Sequence, residues 1–173
     1  HGIDVSKWQG DIDWNQVRAS GVKFAWIKAT EGGDHADAKF QQNWDAAKAA
    51  GVPRGAYHFA YWCRTPAEQM AWFEKNVPYI RNPEVKKLPP HLAPGPVLQE
   101  MREMLERMER YYRKRPVIYV TVDFYASIMH PNEFSDYPVW VRSTKYAPVV
   151  RFPGRRWVFW QYQSDGHVPG IRG

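Results

Sequence analysis

Two acids in this chain stand where an apolar run gives way to a loop, and each has neighbours suited to work on sugars. Asp4 interrupts Ile3-Asp4-Val5, which runs into Ser6, Lys7, Trp8, Gln9 and Gly10, a strand ending in a polar loop with an indole four residues after the acid. Glu31 follows the run Phe24-Ala25-Trp26-Ile27-Lys28-Ala29-Thr30 and precedes Gly32 and Gly33. Cleaving a glycosidic bond takes two carboxyl groups flanking it, one protonated and one ionised, or one acid helped by the substrate's own N-acetyl group. Both acids also have simpler uses. Asp4 inside an apolar strand can be a structural ion pair with Lys28 or Arg142, and Glu31 can be a loop hydrogen-bond acceptor.

Rings gather at the ends of the other apolar runs. They include Tyr57, His58 and Tyr61; Tyr119, followed by Thr121 and Asp123; Trp140 with Arg142; and Trp160, Gln161 and Tyr162. Aromatic residues make up 16% of the chain, with nine Trp and ten Tyr, most of which read as core. Indole and phenol faces stack on the C–H faces of sugar rings as they do on bases. His58, between aromatics, reads first as a core histidine, and Asp123 as a helix N-cap. Asp34, His35 and Asp37 match no recognised ligand spacing, so no metal is expected. Phosphate loops, nucleophile elbows and paired cysteines are absent from the sequence.

The elements that must hold these residues alternate in type. Strands are expected at residues 3–5, 24–30, 54–61, 116–121, 137–142 and 157–162, and helices at 13–20, 38–50, 66–76, 96–112 and 122–128. Asp11 or Asp13 would cap the first helix, and Thr65-Pro66 opens the third. Residues 77–95, with Pro78, Pro83, Pro89, Pro90 and Pro94, break the rhythm. Strands joined by helices of this length pair in parallel through right-handed crossovers, in a barrel-like or open α/β sheet whose chemistry collects at the C-terminal strand ends.

At 173 residues and 44% hydrophobic composition the chain reads as one domain, residues 1–173, able to bury a core without staples. Its net charge of +6 favours anionic polymers, but the basic residues are scattered apart from Arg113-Lys114-Arg115 and Arg155-Arg156, and no nucleic-acid motif accompanies them. The lone Cys63 cannot form an internal disulfide. No apolar run spans a membrane, and a secretion signal removed ahead of His1 remains compatible with the sequence.

The segments GIDVSKWQGDIDW, FAWIKATEG, GVPRGAYHFAYW followed by AEQMAWF, KRPVIYVTVDFY, YPVWVRS, and RRWVFWQY followed by VPGIRG resemble, in order, the family 25 glycoside hydrolases. These are lysozymes (N-acetylmuramidases) that cut the β-1,4 bond after N-acetylmuramic acid in peptidoglycan. The resemblance implies a flattened, irregular, TIM-like β/α barrel with a groove at the C-terminal strand ends. It implies Asp4 and Glu31 as catalytic-site carboxylates, and Trp8, Tyr57, His58, Tyr61, Tyr119, Trp140, Arg142, Trp160 and Gln161 as substrate-binding residues. A monomer acting on peptidoglycan outside the cell or at its wall is expected, without cofactor, metal, nucleic acid or membrane insertion.

Two departures from the family pattern bear on catalysis. The family's fourth-strand segment reads like LPPVLDVE and supplies an Asp and a proton-donating Glu, whereas here Leu88-Pro89-Pro90 runs into His91-Leu92-Ala93-Pro94-Gly95 and then the next helix. Placing Gln99 and Met101 at those carboxylate positions would need a strand where the spacing calls for a helix, so Glu100 reads as a helix residue; Glu84 or Glu31 would be the only stand-ins for the acid. The family also continues past PGIRG into a segment like DVDINVF, while this sequence stops at Gly173. As printed, the barrel is expected to be incomplete.

Overall fold

The computed structural model describes residues 1–79, 96–130 and 132–172. Its chain divides into two compact units, His1–Pro78 with His167–Gly173, and Tyr79–Gly166.

The first unit holds β1 (Ile3–Val5), a 3-10 turn (Lys7–Gln9), α1 (Trp14–Ala19), β2 (Ala25–Glu31), β3 (His35–Ala36), α2 (Phe40–Ala49), β4 (Arg54–Phe59) and α3 (Pro66–Asn76). β2 pairs in parallel with both β1 and β4, as the alternation of elements foretold, and antiparallel with β3. Because β4 follows β2 from Ala25 to Glu31, β1 and β3 share its other edge, β1 at residues 25–27 and β3 at Thr30 and Glu31. Two-residue β3 lies within the stretch read from sequence as loop and helix approach, being too short to carry a periodicity. On β2, Ala25, Ile27 and Ala29 are buried against the helices, joined in the core by Val17, Trp44, Met70 and Phe73.

Local chemistry sets the helix ends. The Asp13 carboxylate accepts from the N–H groups of Asn15 and Gln16 and caps α1, while Thr65 and Glu68 form a reciprocal capping box on α3. The carbonyl of Gly170 accepts from Asp13 N at 2.8 Å, which ties the C-terminal segment to the start of α1. A Cβ on Gly170 would stand 2.4 Å from the Asp13 carbonyl oxygen, and its φ of +95° disfavours other residues, so this approach requires glycine.

The second unit holds α4 (Pro96–Tyr112), β5 (Ile118–Thr121), α5 (Val122–Ser127), β6 (Val139–Arg142), α6 (Pro148–Arg151) and β7 (Phe159–Gln161), with the strands paired in parallel in the order β5-β6-β7. Residues 96–112 form the helix that their spacing indicated. Leu98, Met101 and Leu105 recur on its buried face, which packs in a cluster with Val120, Phe134, Val139, Val141 and Phe152. Glu100 is thus a helix residue, and Met101 is core. Thr121, not Asp123, caps α5: its hydroxyl accepts from Phe124 N, leaving Asp123 in the first turn, where a negative charge meets the positive end of the helix.

The architecture is mixed α/β. Among the described residues the strands form a four-stranded and a three-stranded sheet and do not close into a barrel. Residues 80–95, which include the departure at Leu88-Pro89-Pro90 and Glu84, lie outside the described residues.

Candidate functional site

Strand register sets the first unit's candidates in rows. Asp4 pairs with Trp26 and Trp26 with Gly55, while one step along, Lys28 pairs with Tyr57. Paired residues on parallel strands face the same side, so Asp4, Trp26, Lys28 and Tyr57 share the face opposite the buried Ala25 and Ile27. Gly55 keeps the row flat, since a Cβ there would lie 2.2 Å from the Trp26 ring. Asp4 is exposed although it sits in a strand, so the cost of burying a charge, on which the structural ion-pair reading rested, does not arise.

Lys28 serves Glu31. Its ammonium binds one carboxylate oxygen of Glu31, and the Tyr61 hydroxyl donates to the other. The same ammonium lies 5.1 Å from the centre of the Phe59 ring, over which it can make a cation–π contact. Lys28 foremost, then Tyr61, holds the Glu31 carboxyl below the usual carboxylate range, while Glu31 raises the phenol of Tyr61. Glu31 is therefore ionised at neutral pH, which suits it to accept hydrogen bonds and not to donate a proton.

Behind this cluster runs a polar brace. The side-chain amide N–H groups of Gln69, itself 1% exposed, donate to the carbonyls of Tyr61 and Arg64 at 2.8 and 2.9 Å, which fixes the amide's orientation. Gln69 Oε1 then accepts from Tyr61 N at 2.8 Å and faces His58 Nε2 at 3.1 Å. With that oxygen as acceptor, His58 carries its proton on Nε2, and Nδ1 accepts from the Thr30 hydroxyl at 2.8 Å. Burial pushes the His58 imidazole below its ordinary value, consistent with the neutral ring. Both nitrogens are engaged within the protein, and the ring packs edge-on against Phe73. His58 thus braces the loop that carries Tyr61.

Trp8 is 77% exposed on a turn held from below. Ser6 and Gln9 close a capping box around that turn, and buried Asp37 accepts from the backbone N–H groups of Lys7 and Lys39, both at 2.9 Å. Asp37 was weighed from sequence only as part of a metal cluster. Its position two residues ahead of Lys39 at the entry to α2 is the signal for its bond to Lys39 N, though not for the one to Lys7 N. Gln69 had no such signal beyond its place on the inner face of α3. Among the described residues no group of three or more His, Cys, Asp or Glu is placed to hold a metal.

In the second unit, Tyr119 pairs with Trp140 and Trp140 with Phe159, and in the next row Thr121 pairs with Arg142 and Arg142 with Gln161. Tyr119, Trp140, Arg142 and Gln161 therefore share a face. The Tyr119 hydroxyl donates to Gln161 Oε1 at 2.7 Å, and its ring meets Trp140 edge-on at 4.9 Å. Trp160 has the other parity: it pairs with buried Val141, and its indole N–H donates to the Ser143 carbonyl at 2.9 Å. The sequence grouped it with the other four; the register sets it apart, because adjacent strand residues point to opposite sides.

The family model "Glycosyl hydrolases family 25" matches residues 3–171. Lysozyme M1 of Streptomyces globisporus is 32% identical over 99% of this chain and 64% of its own length. An uncharacterised protein, YegX, of Escherichia coli (strain K12) is 34% identical over all of this chain and 66% of its own length, so the chain spans about two thirds of these curated relatives. The solved structure of a family 25 glycosyl hydrolase from Bacillus anthracis superposes with a TM-score of 0.84 at 33% identity, covering 98% of this chain and 81% of that one.

Proposed function

The chain belongs to family 25 of the glycosyl hydrolases, and from that premise we propose that it is a lysozyme-type muramidase cleaving the β-1,4 bond between N-acetylmuramic acid and N-acetylglucosamine in peptidoglycan. The observation that carries the proposal is the row set by β1, β2 and β4: an exposed Asp4 on the same face as Lys28 and Tyr57, on a sheet whose central strand ends in ionised Glu31. The similarity to proteins named lysozyme supports the same reading. Residues 1–173 act in it as a single catalytic domain of flattened β/α-barrel type, working as a monomer at the cell wall or outside the cell.

Asp4 orients the reacting sugar or stabilises positive charge developing at its anomeric carbon. Glu31, held by Lys28 and Tyr61, supports the site as a fixed anion. Trp8, Tyr57, Tyr119, Trp140, Arg142 and Gln161 bind the glycan by stacking and hydrogen bonding, with Trp160 at the margin and His58 and Tyr61 shaping the wall. The proton donor of the family's Asp-x-Glu segment has no counterpart in the sequence.

That gap favours a second reading, a wall-binding homologue without catalysis. Clearing of a bacterial cell-wall suspension separates the two. A muramidase clears it, and Asp4→Asn abolishes clearing while pull-down on the same walls persists. Pull-down without clearing by the unaltered protein selects the binding homologue.

A further inference from the structure

Residues 137–164 of the second unit contain no Asp or Glu and five cations, Arg142, Lys145, Arg151, Arg155 and Arg156. Arg155 is buried, its guanidinium donating to the carbonyls of Glu133 and Phe134 at 2.5 and 2.9 Å. Lys145, Arg151 and Arg156 are exposed. Among them stand apolar side chains that the fold leaves in water: Val149 is 72% exposed, Val150 63%, Val158 55% and Trp157 42%.

These residues are neighbours through contacts in the structure. The Arg151 guanidinium sits 4.4 Å from the Tyr146 ring centre, and the Tyr146 carbonyl accepts from the Ser143 hydroxyl at 2.5 Å. Ser143 in turn accepts from the Trp160 indole, whose ring is 6.3 Å from that of Trp157. Pro148 and Phe152 hold α6 from beneath, Phe152 against Tyr125 at 4.9 Å, so that inward anchoring leaves Val149 and Val150 turned outward.

We propose that this patch, residues 145–158, rests against an anionic phospholipid surface. Cations alone would suffice for a soluble polyanion, which gains nothing from two adjacent exposed valines and an indole. A lipid surface rewards both parts, since lipid phosphates attract the cations while Val149, Val150 and Trp157 enter the boundary between headgroups and acyl chains. No helix among the described residues is long and apolar enough to cross a membrane, so the contact lies on the surface. The proposal does not depend on the glycosidase reading.

Sedimentation of the full-length protein with vesicles tests it. Phosphatidylglycerol–phosphatidylcholine vesicles should carry the protein down at low salt and pure phosphatidylcholine vesicles should not. Arg151→Ala should weaken binding about fivefold, and Val149→Asp with Val150→Asp about tenfold or more, with unchanged melting temperatures. Should the double aspartate variant fail to fold, Val149→Ser with Val150→Ser makes the same comparison. Failure to bind the anionic vesicles, equal binding to neutral ones, or binding that soluble polyphosphate abolishes and the valine substitutions leave untouched would each overturn the proposal, the last in favour of a polyanion site.

Discussion

Charge holds the candidate face of the first unit, and rings hold that of the second. On β2 and β4 the organising contacts are Lys28 and Tyr61 on Glu31, with Gln69 and His58 bracing the loop behind them. On β5, β6 and β7 they are Tyr119 against Trp140 and the Tyr119 hydroxyl on Gln161. Both units use the same parallel β/α pattern, with Val, Ile and Ala filling one side of each sheet. The difference therefore lies in the side chains of the other face, and under the proposed function it separates two tasks: fixing ionisation in the first unit and offering ring surface in the second.

The largest expected effect tests whether the second unit stands on its core. Phe134 is 1% exposed and lies under the Arg102 guanidinium at 4.5 Å. Phe134→Ala should lower stability by about 3–5 kcal/mol, read by denaturant unfolding. Next, Asp4→Asn should cut wall clearing by about a hundredfold or more, with little change in binding, whereas Tyr119→Ala, which removes a ring that is 42% exposed, should chiefly weaken binding. Comparable losses of rate from both variants would dissolve the division of tasks.

Smaller effects follow from the charge cluster. Glu31→Gln removes a charge-assisted pair whose side chains are 14% and 20% exposed, and should cost about 1.5–3 kcal/mol at neutral pH. The sign of the acid response follows from proton binding. A carboxyl whose folded value is depressed stabilises above its unfolded value, about 4.3, and that contribution is lost as pH falls through the folded value. His58, also depressed, is kept neutral in the fold and takes a proton more readily once unfolded, so stability declines as pH drops below about 6.5. Melting temperatures should fall in two stages on acidification, and Glu31→Gln should chiefly reduce the lower one, to which the capping carboxylates Asp13 and Glu68 also contribute. Smallest of all, Tyr119→Phe should cost under about 1 kcal/mol, because the hydroxyl it removes is exposed.

Much of this was legible in the sequence where periodicity was strong. The spacing of Leu98, Met101 and Leu105 defined α4, Thr65-Pro66 marked the start of α3, and the apolar run over residues 24–30 marked β2. What escaped depends on partners distant in the chain. Nothing near Gln69 says that its amide will span His58, Tyr61 and Arg64, and nothing near Asp37 says that it will hold the turn carrying Trp8. Trp160 was misgrouped because its surroundings reveal a strand but not the register that decides which side it faces. Lys28 was weighed as a partner for Asp4, but on β2 it lies three residues from Glu31, within direct reach of it.

Reducing-end analysis of muropeptides released from purified peptidoglycan tests the central claim most directly. Cleavage after N-acetylmuramic acid leaves that sugar at the new reducing end, so borohydride treatment should yield muramitol, and Asp4→Asn should abolish its appearance. Glucosaminitol in its place, or no new reducing ends at all, would contradict the account.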